Sequence, residues 1–414
     1  MLQMQWEISL NHSLKKIRGD DMSDNIKKMI GQVFNDIADG LETGSFGKKV
    51  RVGLTSFGSE HGTENLVKAA ELAQSRDSSI EVVLIGPKAE TNLTQYEVSD
   101  EDQGYKKMEE LLDAGEIDAC VTMHYNFPIG VSTVGRAVTP GFGKEMLIAT
   151  TTGTSSAHRV EAMVLNGIYG LIVAKALGNQ DPSLGILNVD GARQVERAFK
   201  QLNDNGFNIK FAESHRADGG DVMRGNDLLQ ASCDVVVNDS LTGNILMKMF
   251  SSFTTGGSYE ANGFGYGPGI GEGFDRTILI VSRASGVPVV ANALTYAAGL
   301  VKGNLHKVAK KTFEAANAAG LKDVLASLNK ANEKKDDGPK EAVAAPPKEV
   351  VEEAIAGIDI LELEDSVQAL WKEGIYAESG MGCTGPVIMV SAKNLDKAKE
   401  VLTKAGYITS DANC

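Results

Sequence analysis

The feature that most constrains the fold is a regular alternation of short apolar runs with longer amphipathic segments. Runs such as VRVGLTSFG, SIEVVLIG and CDVVVND are rich in β-branched residues and nearly continuous in their apolar character. Such runs are typical of strands buried on both faces, and the helical segments that follow them indicate a parallel sheet covered by helices. The sequence therefore predicts an α/β fold for residues 22–330.

The alternation stops at the segment EKKDDGPKEAVAAPPKEVVEEA, which holds three of the ten prolines together with dense charge and alanine. This composition predicts a linker at residues 331–349. We expect residues 350–414 to form a small C-terminal α+β module. Residues 1–21 read as an N-terminal extension that we expect to be disordered, and the sequence leaves open whether translation starts at Met1 or Met22.

The chain is acidic, with a formal net charge of −14 and a pI near 5.0. A chain of this charge repels nucleic acids and anionic membranes, so we expect neither as a partner, and an anionic ligand requires a local positive pocket. Four cysteines without a CxxC pair favour a reducing, cytoplasmic location and predict no disulfide framework. We likewise expect no metal and no bound cofactor.

Two predicted strand ends carry polar groups where ligands of open parallel sheets bind. The loop TSFGSEHGTEN includes His61 as an acid–base candidate, and the alternative is an ordinary loop with capping serines. In CDVVVNDSLTGNILMKMF, a strand leads directly into a helix start that suits an oxyanion. Helix capping is the alternative there. The candidate anion contacts of this second end are Asp239, Ser240, Thr242, Gly243 and Asn244.

A third strand end follows a glycine-rich segment. Eight glycines fall within residues 256–273, and the next predicted strand ends in Ser282 and Arg283. Glycines let backbone amides approach a phosphate, and an arginine fork binds phosphate through two hydrogen bonds. We therefore predict a phosphate-binding loop that includes Gly267 and Gly269, with a flexible loop as the alternative. The segment is no convincing dinucleotide fingerprint, because it precedes a strand instead of following one.

The segment ESGMGCTGPVIMVS places Cys383 in a glycine-rich turn. Cys120 and Cys233 lie in or beside apolar strands, and we interpret both as buried small hydrophobic residues. Around Cys383, glycines allow a ligand to approach the sulfur, and backbone amides can lower the thiol pKa from about 8.5. Cys383 is therefore a candidate nucleophile, with a structural cysteine as the alternative.

Three segments together resemble phosphate acetyltransferases and phosphate acyltransferases, and the resemblance covers most of residues 45–320. In chain order the segments are CDVVVNDSLTGNILMKMF, GYGPGIGEG and LIVSRASGVPVVANAL. The resemblance implies a two-subdomain, parallel-sheet-rich fold of the phosphotransacetylase and isopropylmalate dehydrogenase type. It also implies acyl exchange between a thioester and inorganic phosphate as co-substrate. Asp239 then begins the phosphate-side D-x-x-x-G-N motif, and Ser282 and Arg283 match the catalytic Ser-Arg pair. That family has an aspartate several residues after the Ser-Arg pair. In this chain the corresponding position falls near Val289, which puts attack by free coenzyme A in doubt.

The tail around Cys383 resembles the component C alpha subunits of the glycine, sarcosine and betaine reductases. This second resemblance implies a cytoplasmic hetero-oligomer with a component C beta subunit, fed by the selenoprotein A carrier. Cys383 would hold an acetyl thioester, and phosphate would cleave the thioester to give acetyl phosphate. The backbone amides of Gly382 and Thr384 are candidates for the oxyanion site.

Three alternatives stay open at this stage. The chain could be a stand-alone phosphate acyltransferase that uses coenzyme A or carrier-protein thioesters, with Cys383 in a structural role. It could be a scaffold for a catalytic partner, although a scaffold has no use for a phosphate site. A dehydrogenase of the isopropylmalate type would require a cluster of metal-binding carboxylates, which the sequence does not show. Whether the pathway substrate is glycine, sarcosine or betaine is not encoded in these motifs.

Overall fold

The computed structural model describes residues 49–215, 219–336, 343–359, 362–382 and 385–408, together with the isolated helical positions 30, 31, 34 and 37. The predicted N-terminal extension, Cys383, Thr384 and Cys414 lie outside the described residues. Within the described residues, no helix is long and apolar enough to cross a membrane.

Twelve strands of the described chain form one mixed sheet. In chain order they are β1 (Val50–Thr55), β2 (Ile80–Gly86), β3 (Thr94–Glu97), β4 (Ala119–Thr122), β5 (Val131–Val138), β6 (Glu145–Thr154), β7 (Ser183–Leu187), β8 (Lys210–Phe211), β9 (Val222–Met223), β10 (Val235–Val237), β11 (Gly267–Ile270) and β12 (Ile278–Ile280). Their order across the sheet is β3-β2-β1-β4-β12-β11-β5-β6-β10-β7-β8, with β9 paired to β7.

The sheet contains two parallel groups that run in opposite directions. Strands β1, β2, β3, β4 and β12 are mutually parallel, and so are β6, β10, β7, β8 and β9. Between the groups, β11 is antiparallel to both β12 and β5, and β5 is antiparallel to β6. The predicted α/β class is confirmed. Because strand direction reverses at the centre, the carboxyl ends of β12 and β10 point to opposite ends of the sheet.

Helices cover both faces. In chain order they are α1 (Thr63–Arg76), α2 (Glu101–Asp113), α3 (Arg159–Ala176), α4 (Ala192–Asp204), α5 (Gly225–Gln230), α6 (Ser240–Ser252), α7 (Val287–Lys302), α8 (Leu305–Ala318) and α9 (Leu321–Asp336). Along β10, Val235 and Val237 pack into the cluster formed with α1, α3, α4, α7, α8 and α9. Val236 points the other way, into the cluster formed with α5 and α6. Because successive strand residues face opposite sides, one apolar run supplies both cores.

Helix α6 is the element that positions most of the predicted site. Asp239 is its N-cap, and its carboxylate accepts a hydrogen bond from the Thr242 backbone amide at 3.0 Å. The buried side of the helix, which includes Met247 and Phe250, packs over β6 and β5. The helix approaches so closely that a Cβ on Gly243 would lie 1.7 Å from the Thr150 carbonyl oxygen. Gly243 therefore sets the distance between α6 and the sheet.

The C-terminal residues have a hydrophobic cluster of their own, which includes Ile358, Leu370 and Ile388. The cluster is built on β13 (Glu353–Ile355), α10 (Leu363–Lys372), β14 (Ala377–Gly382), β15 (Gly385–Val390) and α11 (Leu395–Lys404). On the main domain, the Arg197 guanidinium on α4 donates to both carboxylate oxygens of Glu362, at 2.8 and 2.7 Å. Helix α9 extends to Asp336, so the predicted linker begins too early, because charged and alanine-rich residues also suit a helix end.

Candidate functional site

Ser282 and Arg283 follow β12 and face a lysine that the sequence analysis missed. The Lys248 ammonium on α6 donates to the Ser282 hydroxyl at 2.9 Å and lies 3.0 Å from a carboxylate oxygen of Glu260. Both cations are about half exposed, whereas the Glu260 side chain is 1% exposed. The Lys248 ammonium therefore contacts the Ser282 hydroxyl, and the next residue of the chain, Arg283, is a second half-exposed cation.

Glu260 is the buried anchor of this cluster. Its carboxylate accepts a hydrogen bond from the Ser285 hydroxyl at 2.9 Å and a longer one from the Tyr266 hydroxyl at 3.4 Å. Burial raises the pKa of Tyr266, and Glu260 adds to that rise, so the phenol stays a donor at neutral pH. The Lys248 ammonium compensates the buried carboxylate and is in turn held at one place beside Ser282.

The loop after β1 forms the other wall of the cluster. The Glu60 amide donates to the Arg283 carbonyl at 2.9 Å, and the His61 ring nitrogen lies 3.2 Å from the Ala284 carbonyl oxygen. The Arg283 guanidinium reaches Glu101 only at 3.9 Å, the limit of an ion pair. The structure thus brings two of the three predicted strand ends together, because β1 and β12 run in the same direction. We name Lys248, Ser282, Arg283 and Glu260 the Ser282 cluster.

The remaining predicted strand end, at Asp239, lies at the other end of α6, beside a pocket of about 240 Å³. The Arg159 guanidinium donates to the Asp239 carboxylate at 2.9 Å, and the Thr242 hydroxyl donates to it at 2.6 Å. Burial favours a raised pKa for Asp239, but the hydrogen bonds from Thr242 and the charge of Arg159 outweigh burial and lower it. We name this the Asp239 pocket; its lining residues include Thr154, Ser155, Ser156, Arg159, Asn166, Asp239, Ser240 and Leu241.

The structure does not bring all predicted anion contacts into one place. Ser240 lies at the first turn of α6 and Lys248 eight residues later, which is about 12 Å along the axis of an α-helix. Between them, the Asn244 amide donates to the Thr151 carbonyl at 3.2 Å instead of facing the Ser282 cluster. The predicted set is therefore divided between the two ends of α6.

Gly267 and Gly269 are not in a loop. They lie in the buried strand β11, where a Cβ on Gly267 would be 1.8 Å from the Val134 carbonyl oxygen and one on Gly269 would be 2.3 Å from the Phe127 ring. Gly267 also has a positive φ of 84°. The prediction of a loop is wrong at these two positions, because close packing at the centre of the sheet requires glycine there as strongly as a phosphate site would.

Comparison with known proteins places the chain in a family. Residues 50–389 match the family described as Fatty acid synthesis protein. The chain belongs to this family. It is 62% identical over 387 residues to the glycine/sarcosine/betaine reductase complex component C subunit alpha of Peptoclostridium acidaminophilum, a match that covers 94% of this chain and 100% of that protein. The predicted resemblance to the component C alpha subunits is thereby confirmed.

More distant relatives of the family are also similar to this chain. A phosphate acyltransferase of Fervidobacterium nodosum is 30% identical over 150 residues, which cover 34% of this chain and 42% of that protein. Among solved structures, a branched-chain phosphotransacylase from Enterococcus faecalis V583 superimposes with a TM-score of 0.40 at 15% identity, covering 61% of this chain and 99% of that chain.

The cysteines of this family member separate into two kinds. Cys120 and Cys233 are buried and free, as predicted. Burial raises the pKa of both thiols, that of Cys233 to about 12, so neither is a thiolate at neutral pH. Cys383 and Thr384 lie outside the described residues, and their neighbours Gly382 and Gly385 are register partners in β14 and β15. The nucleophilic role of Cys383 stays a prediction.

Among the described residues, no group of three or more His, Cys, Asp or Glu side chains could hold a metal ion. The carboxylates nearest to the predicted strand ends are instead paired with cations or cap a helix, as Glu260 and Asp239 do.

Proposed function

We propose that this chain transfers an acyl group between a thioester and inorganic phosphate, as the alpha subunit of component C in an amino-acid reductase complex. Its similarity to a component C alpha subunit and to phosphate acyltransferases supports acyl or phosphate transfer in general. The observation that carries the proposal is the Ser282 cluster, in which the half-exposed Lys248 ammonium contacts a hydroxyl that follows a buried strand, and the half-exposed Arg283 is the next residue.

Phosphate is the anion that this arrangement fits best. Arg283 offers a planar fork and is held only weakly by Glu101, while Lys248 supplies a second positive charge and Ser282 a hydroxyl donor. In a chain of net charge −14, a dianion needs exposed cations at its binding site, and Lys248 and Arg283 supply them. We leave Asp239 and Thr242 out of the proposed phosphate site, because the Asp239 carboxylate caps α6 and accepts the hydrogen bonds of the Thr242 amide and hydroxyl.

The transfer step follows from this placement. A phosphate oxygen attacks the acyl carbonyl carbon, a carbon–oxygen bond forms, and the carbon–sulfur bond breaks. The departing thiolate takes up the proton that the phosphate loses. Lys248 and Arg283 compensate the charge on the phosphate oxygens throughout, and the amides of Gly382 and Thr384 are proposed donors to the carbonyl oxygen.

We place the thioester on Cys383, on the basis of the sequence motif. The acetyl group would come from the selenoprotein A carrier, directly or through the component C beta subunit, and the product would be acetyl phosphate. Because Cys383 is on the same chain as the Ser282 cluster, the covalent connection raises the effective concentration of the thioester near the main domain. The rival is a stand-alone acyltransferase that uses coenzyme A thioesters.

The test is arsenate-dependent hydrolysis of acetyl phosphate by the purified full chain. Arsenate esters decompose, so reversible acyl transfer to an enzyme thiol appears as net hydrolysis. We expect Arg283→Gln to lower the rate by about 100-fold, and the control Lys310→Met, an exposed lysine of α8, to leave it unchanged. A rate for Arg283→Gln within about twofold of wild type, well below the loss expected for such a group, would contradict the phosphate site.

The source of the thiol is tested in the same assay with Cys383→Ala. Loss of hydrolysis, with no recovery on addition of coenzyme A, supports the enzyme-bound thioester. Hydrolysis that persists in Cys383→Ala, or that requires coenzyme A in the wild type, supports the stand-alone acyltransferase and contradicts the role of Cys383.

A further inference from the structure

A carboxylate lies across an open gap from Arg283. Glu101 is the first residue of α2, and its Oε1 is 3.9 Å from the Arg283 Nη2. The other ion pair at this place, between Lys248 and Glu260, is closed at 3.0 Å. Glu101 is therefore close enough to share a ligand with Arg283 and too far away to occupy the guanidinium donors.

The gap between the two charges has the width of one bridging oxygen atom. An N–H···O bond of about 2.9 Å from Arg283 and an O–H···O bond of about 2.7 Å to Glu101 can meet at one oxygen and span the 3.9 Å with an angle of about 90°. A hydroxyl in this place accepts from the guanidinium and donates to the carboxylate at the same time. The spacing therefore suits an anion that carries a proton on one of its oxygens.

The loop after β1 leaves room beside this gap. Gly58 has a positive φ of 76°, and a Cβ on it would lie 3.5 Å from the Glu101 Oε1 and 3.8 Å from the Arg283 Cζ. Any side chain at this position would thus begin in contact with both charged groups. Glycine suits the position for its backbone conformation and for the space that it leaves to a ligand.

Tyr105 holds the carboxylate in place. Its hydroxyl, one turn further along α2, donates to the Glu101 Oε1 at 2.7 Å. Burial raises the pKa of Tyr105, and Glu101 adds to that rise, so the phenol is a donor at neutral pH. Within the described part of the chain, no other group donates a hydrogen bond to Glu101, which leaves its Oε2 to accept one from a ligand.

Oxyanions of similar shape differ in whether they can donate a hydrogen bond to a carboxylate. Phosphate and arsenate keep at least one proton at neutral pH, whereas sulfate keeps none. A carboxylate only accepts, so it gains a hydrogen bond from a P–OH group and meets a sulfate oxygen with like-charge repulsion. A guanidinium or an ammonium only donates, and therefore cannot distinguish the two anions.

We propose that Glu101 determines the anion specificity of the Ser282 cluster: its carboxylate accepts a hydrogen bond from a protonated oxygen of the phosphate that Arg283 binds, and it rejects sulfate. This inference rests on the proposed function, because it takes the Ser282 cluster as the phosphate site. The same carboxylate favours release of the product. The acyl phosphate has lost that proton, so at neutral pH its phosphoryl oxygens present only negative charge to Glu101.

The test is isothermal titration of the full chain with sodium phosphate and with sodium sulfate at equal ionic strength. We expect the wild type to bind phosphate about tenfold more tightly than sulfate, the ratio that one hydrogen bond to a charged group provides. Glu101→Gln keeps the shape of the side chain and can donate through its amide. We therefore expect this variant to bind sulfate about tenfold more tightly than the wild type does, and to lose the preference for phosphate.

Three further variants separate this role from a general effect of charge. Asp102→Asn removes a charge from the same turn of α2 and should leave the ratio of the two affinities unchanged, since Asp102 is exposed and forms no ion pair with Arg283 among the described residues. Arg283→Gln should weaken both anions alike, because the guanidinium binds either one. Tyr105→Phe retains the carboxylate but no longer holds it, and should lower the preference for phosphate by about threefold.

A phosphate-to-sulfate ratio in Glu101→Gln within about twofold of the wild-type ratio would overturn the inference. A wild type that binds both anions equally well overturns it too. Titration needs no turnover, so the two proposals can fail separately. An active wild type whose ratio does not depend on Glu101 keeps the proposed function and overturns the specificity role. A wild type that discriminates through Glu101 but shows no arsenate-dependent hydrolysis of acetyl phosphate contradicts the proposed function alone.

Discussion

The two ends of α6 use the same kinds of side chain for different purposes. At the Asp239 pocket, the carboxylate is at the helix start, where it accepts hydrogen bonds from Thr242 and pairs with Arg159. At the Ser282 cluster, the carboxylate of Glu260 is buried below, and the cations Lys248 and Arg283 face solvent. At both ends the carboxylate is more buried than its cation, and the difference lies in what the carboxylate does: Asp239 caps α6, whereas Glu260 holds Lys248 beside the Ser282 hydroxyl.

A substitution at Gly243 tests both ends of α6 at once, because it would displace the helix. We expect Gly243→Ala to destabilise the chain by about 3 kcal/mol, because its Cβ would collide with backbone at Thr150 and push α6 off the sheet. Urea unfolding measures the change. The matched control is Gly225→Ala at the start of α5, where a Cβ meets nothing within 4 Å. Equal stability of the two variants would show that α6 is not held by this contact.

A double-mutant cycle on Lys248 and Glu260 tests the interaction at the Ser282 end of α6. Lys248→Met leaves a buried carboxylate with fewer donors, and we expect a loss of about 1–3 kcal/mol in the free energy of unfolding. Adding Glu260→Gln to Lys248→Met should recover part of that loss, because the amide carries no charge. Strictly additive effects in the cycle would mean that the two groups do not interact, and that Lys248 is not held beside Ser282 by Glu260.

The Asp239 end is expected to give the smallest effect, and one that depends on pH. Because the pKa of Asp239 is lowered in the folded chain, its ionised form contributes stability above the pKa of the unfolded chain, and that contribution is lost as pH falls through the folded pKa. Asp239→Asn keeps a capping oxygen and removes the charge, so we expect a loss of about 1 kcal/mol or less at pH 7.

The measurement is the free energy of unfolding of wild type and Asp239→Asn at pH 7 and at pH 3. The difference between the two chains should shrink at pH 3, because this pH lies below the ordinary aspartate pKa of about 3.9, so that the carboxyl of the unfolded chain is mostly protonated there. Arg159→Gln serves as control, because it removes the partner and retains the carboxylate. A difference that is unchanged between the two pH values would show that the charge of Asp239 makes no contribution.

How far the sequence could be interpreted differs between elements. The β-branched run CDVVVND predicted a doubly buried strand, and Val235, Val236 and Val237 are indeed buried on two faces. The Ser-Arg pair was correctly placed at a strand end. The glycines at 267 and 269 were misassigned to a loop, since a glycine needed for a close backbone contact has the same sequence appearance as one needed for a ligand. Lys248 had no local signal, because it reaches Ser282 only after α6 has packed across β6.

The sequence by itself determined the α/β class, the buried cysteines, the helix start at Asp239 and the family resemblance, because each of these depends on local pattern: periodicity, capping and motif order. Only the tertiary structure decided which strand ends lie at the same end of the sheet. The reversal of strand direction depends on the pairing of β11 with β5, in which Gly269 pairs with Thr133, more than a hundred positions away. That reversal places the two candidate sites at opposite ends of α6, and the sequence could not show it, because no local pattern records which way a strand runs.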